Sequence, residues 1–215
     1  MFQLYVFDLD GTLVDSRRDL ADSMNLLLEA AGARPLPEEA IGRMVGEGAA
    51  TLVARGFSAA GRPAPPDALQ RFLEIYDTRL LRYTRPYPQI PRVLDALAAS
   101  TSLAVLTNKP LASTRALLDG LDLARYFDAD AIVGGDGPFP RKPDPAGLLH
   151  LMARAGTDVK TTMMVGDSAI DLRVARNAGC PVCLARYGFG FETLPGDLIT
   201  SSDRTIDDPA DILQL

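Results

Sequence analysis

Short apolar runs alternate with helical segments through the second half of the chain. The runs lie at 103–106, 131–133, 162–165, 182–185 and 204–206, and segments with helical periodicity precede the first four, at 90–99, 110–121, 145–155 and 169–178. Parallel strands need such crossover segments, because each strand must start again from the same edge of the sheet. The pattern therefore predicts an α/β fold, with a doubly wound, Rossmann-like parallel sheet covered by helices on both faces.

One further apolar run, at residues 3–7, stands far from the others at the start of the chain. The stretch between it and the next run carries helical spacing at 16–32, 37–45, 49–57 and 67–83. Ser16 followed by Asp19 indicates a capping box at the first helix. We therefore expect an α/β catalytic core of residues 1–14 and 83–215. Residues 15–82 would form an inserted helical cap over the carboxyl edge of the sheet.

Charge and composition restrict the class of partner. The 22 basic and 28 acidic residues give a net charge of −6, which argues against a nucleic-acid binder with a basic face. No apolar run approaches the ~20 residues of a membrane span, and the N-terminus lacks the pattern of a signal peptide. Two cysteines cannot form a disulfide framework. We expect a cytoplasmic monomer or homodimer with no nucleic acid and no membrane partner, and its acidic net charge still allows a local pocket for a small phosphorylated metabolite.

Polar side chains follow four of the predicted strands. They are Asp8 and Asp10 after the first strand, Thr107, Asn108 and Lys109 after the second, Lys142 after the third, and Asp167 and Asp171 after the fourth. Ligands in open α/β sheets bind beyond the carboxyl ends of the strands, which all meet at one edge. The sequence therefore predicts one site at which acids, a hydroxyl group and a lysine converge.

These clusters resemble the four ordered motifs of the haloacid dehalogenase superfamily. The matching residues are Asp8-x-Asp10-Gly11-Thr12, Thr107-Asn108-Lys109, Lys142-Pro143 and Gly166-Asp167-x₃-Asp171. Together with Val45-Gly46-Glu47-Gly48 in the predicted cap, they look most like the phosphoglycolate phosphatase branch. The resemblance implies a doubly wound core, Mg²⁺ as cofactor, and a helical cap, inserted after the first motif, that controls substrate access and specificity.

The resemblance also implies a role for each motif residue. Asp8 would be the nucleophile that forms an aspartyl phosphate, and Asp10 the general acid and base. Thr107 would hold phosphate oxygens, and Lys142 would neutralise charge. The metal site would comprise Asp8, Asp10, Asp167 and Asp171. Asp167 would bind the metal directly, and Asp171 would support it indirectly. Substrate contacts would come from Leu9, Asn108, Lys109 and the cap residues Gly46, Glu47 and Gly48.

The charges of these residues themselves call for a cation. Four carboxylates face one lysine, and a phosphomonoester brings about two more negative charges near neutral pH. Such a site would repel its substrate unless a metal ion were bound. Carboxylate oxygens and phosphate suit Mg²⁺, whose remaining positions water can fill.

Three other features bear on function less directly. Glu47 would disfavour a second anionic group on the substrate unless Arg55, one helix further on, offsets its charge. Cys180 and Cys183 have redox spacing, but they lie at a predicted buried strand instead of at a helix start, which favours a structural role. His150, the only histidine, lies among leucines in a predicted helix, where packing or exposure is the expected role.

The predicted function is Mg²⁺-dependent hydrolysis of a small, phosphoglycolate-like phosphomonoester. A sugar phosphomutase of the same superfamily, which would return the phosphoryl group to its substrate, stays open. A carbon–halogen hydrolase is disfavoured, because a departing halide needs no acid such as Asp10. A phospho-accepting receiver domain of a signalling protein also uses a strand-end aspartate, but lacks a helical insertion after the first strand.

Overall fold

A computed structural model describes residues 2–215 and contains a six-stranded sheet beside a two-stranded ladder. The strands are β1 (Leu4–Phe7), β2 (Val14–Asp15), β3 (Arg85–Pro86), β4 (Ser102–Leu106), β5 (Ile132–Val133), β6 (Thr162–Gly166), β7 (Val182–Ala185) and β8 (Arg204–Ile206). The helices are α1 (Arg17–Ala30), α2 (Glu38–Gly42), α3 (Ala49–Ala59), α4 (Ala68–Asp77), α5 (Ile90–Ala98), α6 (Leu111–Gly120), α7 (Ala146–Ala155) and α8 (Ala169–Ala178). The predicted α/β class is confirmed.

The large sheet is parallel throughout, in the order β5-β4-β1-β6-β7-β8. Strand β1 pairs with β4 on one side and β6 on the other, so that Tyr5 lies opposite both Leu103 and Met163. All four residues of β1 are buried. The first strand of the chain is thus a central strand, and its carboxyl end opens between those of its two neighbours.

Alternating side chains divide the core into two layers, one on each face of the sheet. Tyr5 and Phe7 belong to the layer formed with α5, α6 and the helices that follow β2. Leu4 and Val6 belong to the opposite layer, formed with α7 and α8. Helices cover both faces, which explains why the strands read as nearly continuous apolar runs.

Helices α1 to α4 lie between β2 and β3 and pack against one another. Strands β2 and β3 form an antiparallel ladder in which Asp15 lies opposite Arg85, so the chain leaves and re-enters the core at one place. The predicted helix over 67–83 is too long, because α4 ends at Asp77. The chain then forms tight turns, with hydrogen bonds from the Arg79 and Arg82 amides, that bring it back towards β3.

The predicted capping box at Ser16 is wrong. Ser16 makes no capping hydrogen bond, and its hydroxyl donates instead to Asp10 Oδ1 at 2.5 Å. Asp19 Oδ2 accepts from the amides of Tyr83 and Thr84 and from the Thr84 hydroxyl, each at 2.8 Å. This fully buried carboxylate therefore joins the start of α1 to the segment in which the helical insertion ends.

Within residues 2–215, no helix combines the length and the apolar character that crossing a membrane requires.

Candidate active site

A buried lysine links two carboxylates from different strand ends. Asp8 follows β1 directly, and Lys142 Nζ lies 2.9 Å from its Oδ1 and 2.6 Å from Asp171 Oδ1. Asp171, in the first turn of α8, also accepts at Oδ2 from the amide and hydroxyl of Ser168, at 3.0 and 2.6 Å. Burial opposes the charge on Lys142, but the two carboxylates outweigh burial and raise the pKa of its ammonium group. Lys142 is thus a fixed positive charge beneath Asp8.

Asp167 follows β6 and lies against backbone. Its Oδ2 accepts from the Gly190 amide at 2.7 Å, and its Oδ1 accepts a longer bond of 3.4 Å from the Thr12 hydroxyl. A Cβ added to Gly11, whose φ is +88°, would lie 2.0 Å from Asp167 Oδ2. The glycine of the Asp-x-Asp-Gly-Thr motif is therefore needed both for its backbone conformation and for the approach of this carboxylate. Over the part of the chain that the structure describes, no cationic side chain pairs with Asp167.

Three carboxylates could hold a metal ion together. Asp8, Asp167 and Asp171 each offer one oxygen, these oxygens lie within 4.8 Å of one another, and all three residues are buried. Burial, followed by the nearby carboxylates, raises the pKa of Asp167, and burial, only partly offset by Lys142, raises the pKa of Asp8 to about 6. Buried carboxylates this close together repel one another, and they offer only oxygen atoms as ligands. The cluster therefore fits a hard divalent cation such as Mg²⁺.

Asp10 is not a member of this cluster, although the sequence predicts it among the metal ligands. Lys109 Nζ donates to both of its carboxylate oxygens, at 3.0 and 3.1 Å, and Ser16 donates to Oδ1. These partners engage the Asp10 side chain and direct it away from the three-carboxylate cluster. Its carboxylate lines the cavity beside Asp8.

The residues after β4 form the next part of the site. Thr107 is buried, and its hydroxyl accepts from the Lys109 amide at 3.3 Å. The side-chain amide of Asn108 donates to the carbonyl oxygens of Gly46 and Lys142, both at 3.0 Å. Asn108 thereby bridges the loop after α2 and the core, which is a contact that sequence reasoning did not foresee.

The loop after α2 brings its two glycines to the cavity, but not the charged side chain of Glu47. Gly46 and Gly48 line the cavity, whereas Glu47 does not and forms an ion pair with Arg55 at the surface. Both side chains are about two-fifths exposed, so Arg55 neutralises the charge of Glu47 at the protein surface. Leu9, also predicted as a substrate contact, has a fully buried side chain in the core, so only its backbone is free to meet a ligand.

A cavity lies between the strand ends and the helical insertion. Its core side is polar and carries Asp8, Asp10, Thr107, Asn108 and Lys109. The other side is mostly apolar and carries Leu20, Val45, Ala49, Leu52, Phe72, Leu73 and Tyr76. Sequence reasoning missed Tyr76 in this wall, because periodicity marked it only as a core position, and it missed the contact of Ser16 with Asp10. The helices α1 to α4 thus close over the carboxyl edge of β1 and β4.

The cysteines and the histidine lie apart from the cavity lining. Cys180 and Cys183 are buried free thiols, and burial raises the pKa of Cys180 to about 11 and that of Cys183 to about 12. His150 is exposed and packs against Phe139 with the two rings tilted and their centroids 4.6 Å apart. Neither observation indicates catalysis.

Fold and site together define an α/β enzyme whose buried acids lie at the carboxyl edge of a parallel sheet, beneath inserted helices. The family model for haloacid dehalogenase-like hydrolases matches residues 5–185, and the chain belongs to that family. The resemblance predicted from the motifs is therefore confirmed.

Curated relatives cover most of the chain. The phosphoglycolate phosphatase of Caulobacter vibrioides is 40% identical over 204 residues, which are 91% of this chain and 85% of that protein. The phosphoglycolate phosphatase of Rhodospirillum rubrum is 44% identical over 196 residues, covering 87% and 80%. The crystal structure of a predicted phosphoglycolate phosphatase from Haemophilus somnus superposes with a TM-score of 0.89 at 32% identity, covering 99% of this chain and 97% of the other.

Proposed function

We propose that this hydrolase is a Mg²⁺-dependent phosphatase that cleaves a small phosphomonoester, with 2-phosphoglycolate as the first candidate substrate. One observation carries the proposal: Asp8 and Asp10 line the same cavity, and each carboxylate is paired with its own lysine. A nucleophile and a second carboxylate for proton transfer are the two groups that hydrolysis through an aspartyl phosphate needs. The names of the relatives support phosphoglycolate as the substrate.

In the first step, an oxygen of the Asp8 carboxylate attacks phosphorus. The bond from phosphorus to the ester oxygen breaks, and protonated Asp10 gives its proton to the departing alcohol. Lys142, 2.9 Å from Asp8, offsets the negative charge that gathers as the phosphoryl group approaches. Thr107 lies in the same cavity wall, where its hydroxyl can donate to a phosphoryl oxygen.

In the second step, a water molecule attacks the phosphorus of the aspartyl phosphate. Asp10, now a carboxylate, takes a proton from that water, the bond to Asp8 breaks, and inorganic phosphate leaves. Asp8 and protonated Asp10 are thereby regenerated, so the cycle balances. Held by Asp8, Asp167 and Asp171, Mg²⁺ would supply positive charge to the phosphoryl oxygens.

Two features support hydrolysis over the receiver-type alternative. A receiver domain keeps its phosphoryl group for signalling. In this chain Asp10 lines the cavity, where it can accept a proton from the water that hydrolyses the aspartyl phosphate. The helices α1 to α4 also cover the site, as a small-molecule enzyme requires to control its access to water. The phosphatase names of the relatives likewise support hydrolysis over transfer to a sugar.

The proposal is tested by measuring phosphate release from phosphoglycolate, sugar phosphates, nucleotides and pyrophosphate. We expect turnover with Mg²⁺, none in EDTA, and recovery when Mg²⁺ is restored. Asp8→Asn should abolish release while thermal unfolding stays cooperative. Asp22→Asn, which changes a partly exposed acid of α1 that is not part of the cavity lining, is the matched control and should retain full activity. Activity in chelator, or in Asp8→Asn above a tenth of the parent's, would contradict the proposal.

A further inference from the structure

The loop that follows β7 brings its backbone against the side chain of Asp167. In this loop, residues 187–190, the Gly190 amide donates to Asp167 Oδ2 at 2.7 Å. A Cβ added to Gly190 would lie 2.8 Å from the same oxygen. A Cβ added to Gly188 would overlap the Cβ of Asp167 and the carbonyl oxygen of Gly11. Backbone therefore encloses Oδ2, and a side chain at either glycine would displace the carboxylate.

The loop is itself anchored to the core. The Tyr187 hydroxyl donates to the carbonyl oxygen of Thr12 at 3.1 Å, and its ring packs against that of Tyr87 with centroids 4.8 Å apart. The side chain of Phe189 is buried. An amide held in place by such contacts can fix the direction of the carboxylate that it binds.

The two oxygens of Asp167 differ in how firmly the protein holds them. Oδ2 has the short bond to the loop, whereas Oδ1 accepts from the Thr12 hydroxyl at 3.4 Å, which is long for a bond between oxygens. Asp171 uses both of its oxygens, Oδ1 with Lys142 and Oδ2 with the Ser168 hydroxyl, each at 2.6 Å. Of these two acids, Asp167 is the one with an oxygen left for a cation.

We propose that residues 187–190 hold Asp167 so that it meets a divalent cation through Oδ1 alone, which favours Mg²⁺ over Ca²⁺. Mg²⁺ requires a compact octahedron with bonds of about 2.0–2.1 Å, whereas Ca²⁺ takes more oxygens at longer distances and accepts both oxygens of one carboxylate. With Oδ2 on the Gly190 amide, Asp167 offers only one. Gly188 and Gly190 are positioning residues in this account, which rests on the Mg²⁺ dependence of the proposed function.

The parent protein itself provides the first test. Crystals grown with Mn²⁺, which takes the same kind of oxygen ligands as Mg²⁺, locate the ion by its anomalous scattering. We expect the ion on Asp167 Oδ1, with the Gly190 amide still on Oδ2. An ion bound to Oδ2, or to both oxygens, would overturn the proposal.

The substitution Gly190→Ala tests the loop in solution. Gly190 has φ −77° and ψ −23°, which alanine adopts without strain, so the main change is a methyl group against Asp167 Oδ2. The electron paramagnetic resonance signal of free Mn²⁺ measures binding without turnover, with Mg²⁺ and Ca²⁺ as competitors. We expect the Kd for Mn²⁺ and for Mg²⁺ to rise about 10- to 100-fold, the usual effect of losing a partner of a metal ligand. The Kd for Ca²⁺ should rise less, because a carboxylate displaced from the amide can offer both oxygens.

The matched control is Gly196→Ala, further along the same segment. Gly196 begins a short 3₁₀ helix, and a Cβ added there would have no atom within 4 Å. This variant should leave all three Kd values unchanged. Cooperative thermal unfolding in EDTA checks that both variants are folded, and if Gly190→Ala does not fold, the metal-bound structure of the parent decides the question.

The outcomes separate this inference from the proposed function. Metal binding by the parent, with Kd values unchanged in Gly190→Ala, would overturn the role of the loop and leave the phosphatase proposal standing. A parent that binds neither Mn²⁺ nor Mg²⁺ would overturn the proposed metal dependence and this inference with it.

Discussion

At the scale of single residues, ionisation of the buried Asp8 carboxylate opposes folding when no metal is bound. Asp8 is buried, its pKa is raised to about 6, and its neighbours include Asp171. A pKa above the unfolded value of about 3.9 means that the folded state binds the proton more tightly. The contribution of this group is therefore favourable below about pH 4 and is lost as the pH rises through about 6.

We accordingly expect Asp8→Asn to be more stable than the parent in EDTA at neutral pH. The difference in unfolding free energy should grow by roughly 1 to 2 kcal/mol between pH 5 and pH 7, since only the parent has this group to ionise. Urea unfolding at several pH values measures it. A pH-independent difference for Asp8→Asn would contradict the interpretation.

Asp10 allows a prediction about chemistry. Asp10→Asn cannot protonate the leaving group, so kcat should fall by roughly 10²- to 10⁴-fold, the usual range for general acid–base catalysis. The loss should shrink for p-nitrophenyl phosphate, because nitrophenolate departs without a proton. Steady-state kinetics on an alkyl and an aryl ester measure both values. An equal loss on both would show that Asp10 has a different role.

At the scale of elements, the junction between the helical insertion and the core depends on one buried acid. Asp19 in α1 accepts three hydrogen bonds from Tyr83 and Thr84, just before β3. Removing it leaves buried amides without an acceptor, each of which costs about 1–3 kcal/mol.

Asp19→Ala should therefore lower the free energy of unfolding by about 2–4 kcal/mol. Asp22→Ala, one turn away on the same helix, is the matched control. Asp22 pairs with Arg79 at 3.0 Å and is about two-fifths exposed, so its loss should cost less than about 1 kcal/mol. Urea unfolding compares the two variants, and equal losses would count against a special role for Asp19.

The accuracy of the predictions made from the sequence differs from one element to another. The order of apolar runs predicts the parallel sheet, because a strand buried on both faces must be apolar along its length. The motif residues follow these strands, so Asp8, Lys142, Asp167 and Asp171 meet as expected. The end of α4 was mispredicted, because helical periodicity continues past Asp77 while the return to β3 requires a turn.

Side-chain direction is what the sequence does not specify. Periodicity assigns Tyr76 to a buried face, but only the placement of α4 beside the residues that follow β4 brings its hydroxyl to Lys109. Ser16 resembles a helix cap until the structure shows Asp10 within its reach. Glu47 lies next to two glycines that line the cavity, yet its side chain pairs with Arg55 instead.

At the scale of the whole molecule, the core supplies the acids and lysines of the site, and the helical insertion covers them. Asn108 bonds to both parts, through the carbonyl oxygens of Gly46 and Lys142. The helices α1 to α4 therefore close over the acids. A phosphoryl group transferred to Asp8 would be shielded from bulk water, with Asp10 beside it to direct its hydrolysis.

The most direct measurement is the mass of the enzyme quenched in acid during turnover. In Asp10→Asn with Mg²⁺ and p-nitrophenyl phosphate, the first step should outpace the second, because hydrolysis of the aspartyl phosphate lacks its base. We expect the intact mass to rise by one phosphoryl group, and peptide mapping to place that group on Asp8. The double variant with Asp8→Asn should stay unmodified. Release of nitrophenol with no phosphoryl group on Asp8 at any quench time would contradict the covalent mechanism.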